Sequence, residues 1–91
     1  MTNQLEDFTP LLRRAIAEAR SAGLVAQADV LEAHASAAYA TSSEYLGEVG
    51  QAIVRFLHEG GAAVPPAVAQ KLDRCLLQVR QVWPEIRLRR G

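Results

Sequence analysis

Apolar residues recur along the chain at alternating steps of three and four, in four successive runs. Leu5, Phe8, Leu12, Ala15 and Ala19 form the first run, and Leu24, Ala28, Leu31, Ala35 and Ala38 the second. Leu46, Val49, Ile53 and Phe56 form the third, and Val68, Leu72, Cys75, Val79 and Val82 the fourth. Such spacing places each run on one face of an α-helix. Four apolar faces bury one another when the helices pack together. The pattern therefore predicts an all-α fold, a small up-and-down four-helix bundle with helices near 7–22, 25–40, 43–58 and 66–83.

The residues between the runs sharpen these boundaries. Pro10 is tolerated in a first turn, which puts the first helix start near Asp7 or Thr9; a start at Thr2 would leave Pro10 as a kink. Gly23 can take the left-handed conformation that closes a helix. The second helix is so rich in alanine that its diameter is small and a neighbour can approach closely. Thr41 and Glu44 have the spacing of a capping box, in which a hydroxyl and a carboxylate satisfy free backbone donors. Gly47 and Gly50 each cost about 1 kcal/mol inside the third helix relative to alanine. They are candidates for close helix packing, with the alanine-rich helix against them; the functional alternative is a shallow groove or hinge. Gly60-Gly61 stops the third helix, Pro66 opens the fourth and Pro84 ends it. One domain is expected over residues 1–84, followed by a basic C-terminal tail, 85–91, in which apolar and basic residues alternate.

Composition limits the core. Ninety-one residues with 49% hydrophobic and 22% charged side chains suit one globular domain. Aromatics are only 5% and much of the apolar share is alanine, so the core should be thin. Formal net charge is zero, which removes the long-range attraction of a general nucleic-acid binder. The charges are segregated, however. Between Ser21 and Val54 there is no Lys or Arg, while Asp29, Glu32, Glu44 and Glu48 fall there; from Arg55 onward bases outnumber acids seven to three. The second and third helices are thus expected to face the basic last helix, within the fold or across a dimer. The single cysteine excludes an internal disulfide, no run reaches the roughly 18 apolar residues of a membrane span, and MTNQLEDF lacks the pattern of a signal peptide. A cytoplasmic location is the expectation, and nine arginines to one lysine beside abundant alanine hint at a GC-rich bacterial genome.

Little in the chain points to chemistry. Neither His34 nor His58 has a partner at the spacing that puts two metal ligands on one helical face, and Glu44 with Glu48 reads as a solvated pair. Cys75 lies on an apolar stripe, where a thiol behaves as a small hydrophobe. Gly60-Gly61 lacks the residues of a phosphate loop. No enzymatic activity, metal or cofactor is expected. Arg87, Arg89 and Arg90 could meet phosphates, which makes a nucleic-acid-associated regulator the first alternative. Up-and-down connectivity brings Tyr39, Tyr45 and Trp83 to one end of the bundle, where they either plug it or form a partner site. Leu11, Val30, Val54 and Leu77 lie off the stripes and leave apolar surface that a homodimer could cover. The leading expectation is a noncatalytic protein-protein interaction module, an adaptor, inhibitor or antitoxin-like partner that self-associates, with Tyr39, Tyr45, Trp83, Arg87, Arg89 and Arg90 as candidate contacts. A carrier of a small apolar ligand is the second alternative.

Overall fold

The computed structural model describes residues 4–85, with side chains from Phe8 onward. Four helices follow one another: α1 (Gln4–Ser21), α2 (Val25–Ser36), α3 (Ser42–Gly60) and α4 (Pro66–Val82). α1 packs on α2 and α4, and α3 packs on the same two, so the helices form a closed ring in chain order with two diagonal pairs. This is the up-and-down bundle that the apolar periodicity predicts.

The stripes are the core. Phe8, Leu12, Ala15 and Ala19 of α1, Leu46, Val49, Ile53 and Phe56 of α3, and Val68, Leu72, Cys75 and Val79 of α4 are all buried. Ile16, Leu57, Ala69 and Leu76 widen those faces beyond the simple repeat. Leu11 and Val54, expected as spare surface, instead pack partly buried against the core. Val82 falls outside it, 44% exposed, because the buried stripe of α4 ends at Val79.

α1 begins at Gln4, three residues before the expected position, and Pro10 lies inside it. A proline there costs about 3 kcal/mol and withdraws the donor from the Glu6 carbonyl. Full burial of Phe8 and Leu12 on either side contributes about 2–3 kcal/mol each and outweighs that cost. The helix closes where predicted: Gly23 sits at φ +95°, and the Gly23 and Leu24 N–H groups donate to the Arg20 and Ala19 carbonyls, both at 3.0 Å. These are the paired bonds of a Schellman closure.

The largest departure is α2, which stops at Ser36 and not near residue 40. Ala37 turns to extended backbone, and Ala38, expected on the second stripe, is exposed outside the helix. The Tyr39 hydroxyl donates to the His34 carbonyl at 2.8 Å, supplying a donor that the interrupted helix lacks. Only Ala28 and Leu31 of α2 are buried. α3 starts one residue earlier than expected and runs two further, to Gly60; Thr41 caps it by accepting from the Glu44 N–H at 3.1 Å. The Glu44 carboxylate reaches back to the Ala40 N–H at 3.2 Å, one residue before its place in a standard capping box. A single 3₁₀ turn, Gly61–Ala63, leads to α4, with Pro66 in its first turn.

Candidate functional site

The turn that ends α2 early also positions the aromatic residues. Residues 37–41 join α2 to α3 outside either helix, and Tyr39 lies against Tyr45 at the start of α3, ring centres 5.8 Å apart and edge to face. Tyr45 meets Phe8 at 5.9 Å in the same manner, which ties the pair to the core. From the far end of the chain, the Trp83 indole N–H donates to the Ser43 carbonyl at 2.7 Å. The three aromatic residues therefore meet at one end, where Tyr45 and Trp83 pack partly buried against the core.

Trp83 reaches Ser43 because Gly47 has no side chain. A Cβ at position 47 would stand 3.1 Å from the indole Nε1 and 3.2 Å from Cε2. The close approach at Gly47 is thus to the end of α4, where the sequence suggested the alanine-rich helix. Gly50 is buried in α3.

Tyr39 and Trp83 wall an open cleft of about 370 Å³ with Glu44, Gly47, Glu48, Gln51 and Glu85. Both polar ring atoms already have partners, so the walls present carbon surface. Burial, then Glu48, then Tyr45 raise the Tyr39 phenol above its ordinary pKa of 10.0. A second cleft of about 380 Å³ lies between α2 and α3, lined by residues that include Val30, Leu31, His34, Ala52, Arg55 and Phe56. Glu48 and Gln51 line both, so the two clefts are neighbours on the outer face of α3.

The acids of α2 find their cation on α1, while α3 packs directly on the basic last helix. Arg20 donates to Asp29 at 2.7 Å and to Glu32, both on α2. α4 meets α1 through Lys71 and Glu18 at 3.0 Å. Among the described residues, neither Glu48 nor Glu85 forms an ion pair.

Cys75 is fully buried, and burial pushes its thiol up to about 12. A protonated thiol closed off from solvent does not act as a nucleophile. Among the described residues, no group of three His, Cys, Asp or Glu side chains is placed to hold a metal ion, and no helix is long and apolar enough to cross a membrane. Arg87, Arg89 and Arg90 lie outside the described residues. Sequence reasoning missed Glu48, Gln51 and Glu85 as cleft residues. The shared face of Glu44 and Glu48 was a usable signal; the position of Glu85 depends on the turn after Trp83 and had none. Comparison with protein-family models, with curated proteins and with solved structures finds no match.

Proposed function

We propose that this chain is a noncatalytic protein-interaction module, an adaptor or neutralising partner working in the cytoplasm, that holds a partner segment along the outer face of α3. The observation that carries this is that two neighbouring clefts share Glu48 and Gln51, and together they offer a trough with α2 on one side and the end of α4 on the other. Carbon-rich walls with carboxylates along the trough combine area for burial with groups that fix orientation, as partner sites require. The buried Cys75 removes the one thiol from consideration as a nucleophile.

A photo-crosslinking amino acid at Gln51, introduced in cells, tests the assignment. Discrete crosslinked species from position 51, absent from a control at Arg14 on α1 and suppressed by Val30→Arg, are expected. Equal crosslinking from both positions, or none from 51, removes the trough as the interaction site. A self-associating form of the module draws support from Leu77, 55% exposed on α4, and Val30, 57% exposed on α2. The two lie on diagonal helices, so a dimer would cover one of them at each contact.

A further inference from the structure

We infer that the end of the trough between Tyr39 and Trp83 receives an arginine side chain from a basic partner segment; this rests on reading the chain as an interaction module. The walls offer two aromatic surfaces whose only donors are already used, Tyr39 on the His34 carbonyl and Trp83 on the Ser43 carbonyl. Such surfaces attract a cation through their ring electrons, and a planar guanidinium stacks on them better than a compact ammonium does. Glu48 and Glu85 line the same cleft with no cation of their own among the described residues, and a carboxylate is the group with which the fork of a guanidinium pairs. The field of Glu48 is already felt in the cleft, since it helps hold the Tyr39 phenol in its neutral form. A hydrated metal ion would gain nothing from the carbon walls, and Glu44 is engaged in capping α3. Charge complementarity therefore favours an organic cation, and a volume of about 370 Å³ accommodates an arginine with part of its backbone.

Trp83 is the only tryptophan in the chain, so its fluorescence reports on this cleft alone. The full-length protein is titrated with a blocked peptide Gly-Arg-Gly-Arg-Gly and with versions carrying citrulline or lysine in place of arginine. A saturable fluorescence change with the arginine peptide is expected, with binding about tenfold weaker for citrulline, which keeps the shape and loses the charge, and measurably weaker for lysine. Glu48→Gln combined with Glu85→Gln should weaken the arginine peptide about tenfold while the unfolding midpoint stays unchanged, because neither carboxylate pairs within the described fold. Equal binding of the citrulline peptide, or no saturable change with folded protein, overturns the proposal. Equal binding of the lysine peptide overturns the assignment to arginine. Tighter binding after replacing Arg87, Arg89 and Arg90 with alanine would make the chain's own arginines the occupant and overturn the assignment to a partner. Loss of peptide binding with crosslinks from position 51 retained removes only the arginine chemistry; loss of both removes the interaction reading as well.

Discussion

Gly47 and Cys75 are small residues in helical interiors, yet they respond to substitution and to pH for different reasons. At Gly47 the local preference and the tertiary contact oppose each other. Alanine would gain up to about 1 kcal/mol of helix propensity, but its Cβ would crowd the indole at 3.1 Å. Gly47→Ala should therefore leave stability nearly unchanged while displacing Trp83 from the Ser43 carbonyl, seen as a shift of its emission to longer wavelength. Gly47→Leu cannot be accommodated by small movements and should destabilise the fold by about 2–3 kcal/mol, measured as a lower urea midpoint. Cys75 has its thiol pushed from the ordinary 9.0 to about 12 by burial, so the folded state favours the protonated form. That contribution is complete below pH 9 and declines as pH rises from 9 towards 12, at up to about 1.4 kcal/mol per pH unit. A urea midpoint that falls across this range in the parent and much less in Cys75→Ala, with thiol labelling slow until urea is added, is the expected outcome. The sequence announced Cys75 as a core residue through its place on a stripe. It announced Gly47 only as a close contact, because a helix carries no mark of which distant ring will lie on it.

α2 is the least anchored of the four helices. It buries Ala28 and Leu31 alone, its N-cap Leu24 offers no side-chain bond, and Val25 and Val30 stand exposed. Arg20 links it to α1, but that side chain and its two partners are solvent-accessible, and water and salt screen such pairs so that they add little. Hydrogen exchange should therefore show α2 amides opening first and α3 and α4 amides last. Leu31→Ala should cost about 2–4 kcal/mol where Asp29→Ala barely moves the midpoint, compared by urea unfolding. Tyr39→Phe removes the donor to the His34 carbonyl and should speed exchange in the last turn of α2 with a loss of about 1 kcal/mol. The early end of α2 was hidden in the sequence by the alanines from Ala35 to Ala40, which suit a helix well. With the backbone out of the helix, Tyr39 sets its ring on Tyr45 and its hydroxyl on the His34 carbonyl, contacts between residues that the alanine pattern does not announce. The other helices were legible because their polar punctuation, Gly23, Thr41 with Glu44, and Pro66, acts locally.

In the bundle as a whole, the acidic α2 and α3 lie side by side and line one cleft together, while α4 carries a basic excess. A protein with zero net charge can still orient a charged partner through such a division, and that steering weakens with salt. Light scattering at several concentrations, with and without about 0.5 M salt, separates the forms of association. A dimer that persists in salt would assign the exposed Leu77 or Val30 to self-contact; a monomer throughout would leave both available to another protein. The ring of helices was readable from periodicity. The neighbouring clefts were not, since their walls come from α2, α3 and the end of α4 and exist only when all three are in place.

The closure of that ring by α1 against α4 bears on how the protein is made. Lys71 and Glu18, which meet across this seam, are separated by 53 positions. During synthesis α1 emerges with Phe8, Leu12 and Ala15 exposed, and they keep no full cover until α4 has left the ribosome. Translation that stalls in the loop before Pro66 would release a three-helix chain with an open apolar seam, a target for chaperones and proteases. Folding is thereby coupled to completing the fourth helix, and an unfinished copy is one the cell can recognise and discard.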